Sequence, residues 1–318
     1  IQIGDGEHGW VFPWNHEIGV SNEYLPGWGH AVFYDVIQKW EGDYILHNAK
    51  FDVGMLEHML IKIPKHRIRD TRIMAHILEP HRLTALKEVA NRYVDGASSV
   101  SQFNLTKSMV ETWNWETIPV NFQDFWVYAA LDPVLTYRVD EIVYPKVLID
   151  APDAFDLENK VLWTIYAMER YGAYIDVEYA KKSLDDFQSE IGQIEKYCKE
   201  TYHVSPGSNA AVIRVLQDAG YTFTKATASG TVALDKEVLN GIDHELAKLV
   251  LRRRKLQKLA STYLTHFVND VDEDSLLHPS INTLGARTSR MSMSDPNFQN
   301  LPRRSEDDPD ATTVRRSV

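Results

Sequence analysis

A single cysteine, Cys198, in 318 residues rules out an internal disulfide and fits a reducing compartment. Its neighbours are apolar at helical spacing, which predicts a buried, inert thiol rather than a nucleophile. No apolar run approaches the ~18 residues of a membrane span. The opening stretch, I-Q-I-G-D-G-E-H-G-W, has neither a basic leader nor a signal-peptide core. Without an initiator Met, the chain is expected to be a fragment or a trimmed product. Cations are scarce as well: 34 Lys and Arg against 45 Asp and Glu give a net charge of -11. That balance argues against a protein that simply coats nucleic acid, so phosphate binding would have to come from local clusters.

What is present suits an ordinary soluble chain of about two domains, at roughly 100–200 residues each. Ile1 to Trp14 reads as two strands around an Asp5-Gly6 turn. Asp5-x-Glu7 has the spacing of a paired-carboxylate metal site, although turn chemistry alone explains an Asp-Gly. Gly29–Lys39 is helical in pattern, and Asp43–His47 is a short strand ending at Asn48. Asn48 would cap a helix with Phe51, Met55, Leu56 and Met59 on its inner face and Asp52 in its first turn. A carboxylate there suits the helix dipole with or without a site. Helices are predicted over Arg69–Leu78 and over Thr84–Tyr93, the latter with Leu86, Val89 and Ala90 inward. Gly96–Asn104 is a Ser-rich loop, and Trp113–Phe122 supplies aromatic anchors. From Phe122 onward another helix sets Tyr128 and Asp132 on one face, one turn apart. A phenol beside a carboxylate can orient water, and the carboxylate can bind a hard divalent cation.

Strand, Asn48-x-x-x-Asp52, intervening helices, then Tyr128-x-x-x-Asp132 resembles the second and third motifs of the 3′–5′ exonuclease domain of proofreading DNA polymerases and of ribonuclease D. The resemblance implies a ribonuclease H-like α/β domain, a mixed sheet flanked by helices, over 1–146. It also implies a two-metal Mg²⁺ or Mn²⁺ site held by Asp52 and Asp132, Tyr128 positioning the attacking water, and Asn48 contacting a single-stranded 3′ end. Two metals about 4 Å apart clamp the incoming and departing oxygens of an in-line displacement. The family's Asp-x-Glu pair lies on a first strand, expected upstream of residue 1, so the chain alone is expected to bind metal poorly and to degrade single-stranded DNA slowly or not at all.

Leu148–Phe155 reads as an interdomain linker, and Leu157–Tyr171 as a helix stopped by Gly172. M-E-R-Y-G-A-Y-I-D resembles the entry to the polymerase domain of family A enzymes, with Gly172 and Asp176 as helix stop and cap. Leu184, Phe187, Ile191, Ile194 and Cys198 then form an apolar helical seam. Ser205–Ser208 opens a further helix. L-A-K-L-V-L-R-R-R-K-L-Q-K-L-A-S-T-Y carries Leu249, Leu256 and Leu259 on one face and Arg252, Arg253, Arg254, Lys255 and Lys258 on the other. Uniform charge of this kind favours a polyanion partner, because like charges repel unless neutralised. The run resembles the family A thumb helix, where Arg254 and Lys258 match positions that grip primer and template. His278–Asn282 resembles the strand leading into the palm.

A-R-T-S-R-M-S-M-S-D-P-N-F-Q-N-L-P, Ala286 to Pro302, offers a fork of arginine donors and amides that both donate and accept. Asp295-Pro296 turns it. It resembles the T-G-R-L-S-S-x-D-P-N-L-Q-N-I-P segment of family A DNA polymerases, where Arg290, Asn297, Gln299 and Asn300 match minor-groove contacts near the primer terminus. The last sixteen residues, polar and mixed in charge, read as mobile.

Five motifs in the family's order imply a family A DNA polymerase of phage type. Residues 177–275 would be the thumb and 276–318 the start of the palm. Palm carboxylates and fingers are expected after Val318, on a downstream segment or a separate chain. Partners would be primer-template DNA and single-stranded 3′ ends, with no membrane, in a bacterial host's cytoplasm. Two other readings stay open, a DNA-binding scaffold with a degenerate nuclease fold and a ribonuclease D-like enzyme. The latter leaves 147–318 without a role.

Overall fold

The computed structural model describes residues 1–11, 26–94, 122–225, 232–288 and 290–318. The loop expected over Gly96–Asn104 and the aromatic stretch before Phe122 lie outside these residues. Two compact units result, Ile1–Ala167 with Asn282–Ser292, and Met168–Ile281 with Met293–Val318.

In the first unit, the hairpin of β1 (Gln2–Gly4) and β2 (Gly9–Val11) is antiparallel, with Gln2 opposite Val11. The Asp5 carboxylate accepts from the Glu7 and His8 amides at 3.0 and 2.8 Å, as a turn requires. The hairpin lies against the long helix Gln123–Asp150. At Gly9 an added Cβ would come 1.9 Å from the Ala130 carbonyl oxygen, so only glycine permits this approach. β3 (Tyr44–Leu46) and β4 (Ile68–Asp70) pair in parallel, with Leu46 opposite Asp70. A parallel pair needs a crossover, and the helix Ala49–His58 lies within it. Among the described residues these pairings remain separate two-stranded ladders, not the single mixed sheet expected.

Three expectations change in this unit. Phe51 and Met55 are 64% and 45% exposed, whereas Ala49 and Val53 are buried. The small side chains face the core because the helix packs closely. Arg69 and Asp70 belong to β4, and the next helix starts at Thr71 with Asp70 as its cap. Nor is 148–155 an extended linker. One helix ends at Asp150, and the next, Pro152–Tyr171, starts two residues on, with Phe155, Leu162 and Tyr166 in the first unit's core. Proline at a first helical position loses no hydrogen bond, so it opens the helix.

In the second unit, Gly172 takes φ +72° and ends the preceding helix, while Asp176 caps Val177–Tyr202, accepting from the Tyr179 amide at 3.0 Å. All five seam residues of that helix are buried, Cys198 among them. Burial pushes the Cys198 thiol up. Ser208 caps Asn209–Asp218. The chain's end is helical over Pro309–Arg316, with Ala311 and Val314 buried, so the expectation of a mobile tail is corrected. Two apolar residues three apart give this helix one stripe to bury.

Candidate active site and nucleic-acid interface

Asp70 is the pivot of the first unit's acidic cluster. Fully buried, it accepts from the Asn48 amide at 3.1 Å, the Ala49 amide at 2.8 Å and the Arg72 amide at 2.8 Å, which ties two helix starts to one carboxylate. Asn48 therefore does not cap its own helix. Its backbone is left-handed at φ 72°, its side chain makes no capping bond, and its side-chain Oδ1 accepts from Arg72 Nη1 at 2.8 Å. Arg72 Nε also donates to Thr84 Oγ1 at 3.3 Å.

Asp52 follows one turn into the helix, where burial, then the negative charges of Asp70 and Asp132, push its carboxyl up to about 7. Asp132 comes from Gln123–Asp150 and is ion-paired with Lys87 of the helix Leu86–Tyr93. The Lys87 ammonium lies 4.5 Å from the centre of the Tyr128 ring. Burial lowers the pKa of Lys87 and the Asp132 charge opposes that effect. Tyr128 and Asp132 are thus joined through a lysine, while burial and the charges of Asp70 and Asp132 let Asp52 keep its proton up to about pH 7.

Such a pair of hard oxygen donors in a partly desolvated, electronegative corner fits a divalent cation. Among the described residues, however, no group of three or more His, Cys, Asp or Glu is arranged to hold a metal. Asp5 is occupied by its own turn. Sequence reasoning missed Lys87, Asp70 and Arg72. Position 87 adjoins the inward face set by Leu86, Val89 and Ala90, so a cation at its edge was the available signal.

The basic helix, Glu245–Leu259, is largely neutralised from within the second unit. Arg252 is paired with Glu190 at 2.6 Å and with Asp310, Arg253 with Glu195 at 2.7 Å, and Lys255 with Asp308 and Asp310 at 2.7 Å. Carboxylates distant in sequence therefore compensate much of the charge on this helix. Arg254 donates to the Leu234 carbonyl at 2.5 Å and to Asn209 Oδ1 at 2.8 Å. Lys258 is exposed, and no ion pair involves it among the described residues.

Arg290 is exposed in the first unit. In the second unit, Asn297 caps the short 3₁₀ turn Phe298–Asn300, accepting from the Gln299 amide at 3.0 Å. Tyr263 donates to the Asn300 carbonyl at 2.5 Å, which leaves the exposed Gln299 and Asn300 side chains for other partners.

Residues 2–147 match the family model for a 3′–5′ exonuclease, and residues 177–317 match that for DNA polymerase family A. The DNA polymerase of Mycobacterium phage D29 is 25% identical over 95% of this chain and 52% of its own length. For the DNA polymerase of Escherichia phage T5, identity is 25% over 86% of this chain and 36% of the relative. DNA polymerase I of Treponema pallidum is 25% identical, covering 90% and 29%. Among solved structures, the POL domain of Pol1 from M. smegmatis, in complex with DNA primer-template and dNTP, matches with a TM-score of 0.67 at 20% identity, over 94% of this chain and 49% of that one. That likeness concerns the fold. An exonuclease region followed by a polymerase region defines the class, polymerases that carry a nuclease domain ahead of the polymerase domain. Residues 177–317 thus carry the sequence pattern of DNA polymerase family A, and residues 2–147 that of a 3′–5′ exonuclease. The chain spans about half the length, or less, of the curated relatives it matches. Among the described residues, no helix is long and apolar enough to cross a membrane.

Proposed function

We propose that this chain is the nuclease and DNA-gripping portion of a family A DNA polymerase of phage type, acting in the host cytoplasm. Residues 1–146 form the exonuclease-like domain, with a ribonuclease H-like design, 177–275 the thumb and 276–318 the start of the palm. The observation that carries the reading is the gathering of Asp52, Asp70 and Asp132 closely enough that the latter two help raise the Asp52 carboxyl, with Tyr128 joined to Asp132 through Lys87. Asp52 and Asp132 would hold Mg²⁺ or Mn²⁺ in a two-metal site. Such ions activate water and stabilise the departing oxygen of a phosphodiester. Tyr128 orients the attacking water, Asn48 holds the single-stranded 3′ end, and the low polarity around Asp52 strengthens every charge interaction there. Arg254 and Lys258 contact the duplex backbone, with Arg290, Asn297, Gln299 and Asn300 along the minor groove, where readout is largely independent of sequence.

The scaffold reading draws on one observation, that Lys87 pairs with Asp132 where a cation would bind. A ribonuclease D-like function would leave the polymerase-family region 177–317 without a task. Binding to primer-template DNA and to structured RNA of equal length separates these. The proposal expects preference for DNA, with Arg290→Ala weakening it alike across sequences. Equal or tighter RNA binding, or a loss confined to particular base pairs, would count against it.

A further inference from the structure

A guanidinium can only donate, so whichever amide atom faces Arg72 must be the oxygen. The 2.8 Å contact from Arg72 Nη1 therefore fixes the Asn48 carboxamide with its oxygen committed and its NH₂ on the opposite side. Arg72 is itself held, through its amide by Asp70 at 2.8 Å and through Nε by Thr84 at 3.3 Å. The backbone N–H groups of Asn48 and Ala49 are both spent on Asp70, so neither is a donor to a strand at this corner. Asn48 is partly exposed, and its NH₂ has no partner among the described residues.

We propose that Arg72 is a positioning residue that makes Asn48 a pure hydrogen-bond donor toward the bound strand. The inference rests on the reading of the first unit as one that receives a single-stranded 3′ end. A free asparagine amide can turn over and offer oxygen or nitrogen, and half of those orientations face an acceptor-rich strand with a lone pair. Locking the oxygen on Arg72 removes that wasted orientation in advance, which favours binding without adding a contact.

The test is a double-mutant cycle on binding of a fluorescein-labelled single-stranded oligonucleotide with a free 3′ end, in EDTA so that no hydrolysis occurs. Asn48→Ala is expected to weaken binding roughly tenfold, the scale of one lost hydrogen bond to a charged group. Arg72→Leu should weaken it severalfold when Asn48 is present and add nothing in the Asn48→Ala background, because Arg72 acts through Asn48. Arg72→Lys, which keeps one donor for the oxygen, should recover part of the loss and guards against a folding defect. Equal factors for Arg72→Leu with and without Asn48, or wild-type binding by Asn48→Ala, would overturn the inference. Failure of the wild-type chain to bind the oligonucleotide would instead overturn the underlying reading of the first unit.

Discussion

The acidic corner of the first unit sets two carboxylates to opposite tasks through their surroundings. Asp70 accepts from three backbone N–H groups, which supply the hydrogen bonds a buried carboxylate needs. Asp52 lacks such support, and its carboxyl, pushed up to about 7, binds a proton in the folded chain that the unfolded chain releases at an ordinary carboxylate pH. A raised folded pKa contributes stability that is full below about pH 4 and is lost as pH rises through about 7. Asp52→Asn is therefore expected to be more stable than the wild type at pH 8, by roughly 2–4 kcal/mol at about 1.4 per unit of pKa. The two should converge at pH 4 in denaturant titrations without metal. A constant difference across that range would contradict the assignment. Asp52 and Asp132 stand out in the sequence as candidates because each sits at a fixed spacing from an Asn or a Tyr. Lys87 and Arg72 do not, since their partners lie 45 and 24 residues away and only the fold brings them together.

At the scale of elements, local pattern was a good guide wherever one apolar stripe met one core. The seam from Leu184 to Cys198 is buried throughout, and Gly172 and Asp176 punctuate the helices on either side as their chemistry requires. Pattern failed where size or distant charge decided. Phe51 and Met55 were read as core by their apolarity, yet a close helix seat suits Ala49 and Val53. The basic helix was read as awaiting phosphate, whereas Glu190, Glu195, Asp308 and Asp310 already face it. A division of labour follows. Arg252→Ala leaves the nearly buried Asp310 with Lys255 as its remaining cation and is expected to cost about 2 kcal/mol. Lys258→Ala should leave stability within about 0.5 kcal/mol and lower affinity for primer-template DNA. Thermal melts and binding curves on the two variants check both statements. Destabilisation by Lys258→Ala, or none by Arg252→Ala, would show that the helix is not organised in this way.

Over the whole molecule, the net charge is -11, and Arg252, Arg253 and Lys255 of the basic helix are already paired internally, which limits the positive charge that helix offers to DNA. Affinity on this account comes from a small number of exposed donors, Lys258, Arg290, Gln299 and Asn300 among them, together with a cation at Asp52 and Asp132. The order of motifs along the chain revealed the family more readily than the fold in detail, because each motif is local while the pairing of strands is not. The most direct test is the increment that Mn²⁺ adds to binding of a single-stranded 3′ end, measured on the wild type and on Asp52→Asn/Asp132→Asn with a non-hydrolysable phosphorothioate terminus. The account predicts tighter binding by the wild type when Mn²⁺ is added and no increment in the double variant. A wild type indifferent to Mn²⁺, or an equal increment in both proteins, would contradict it.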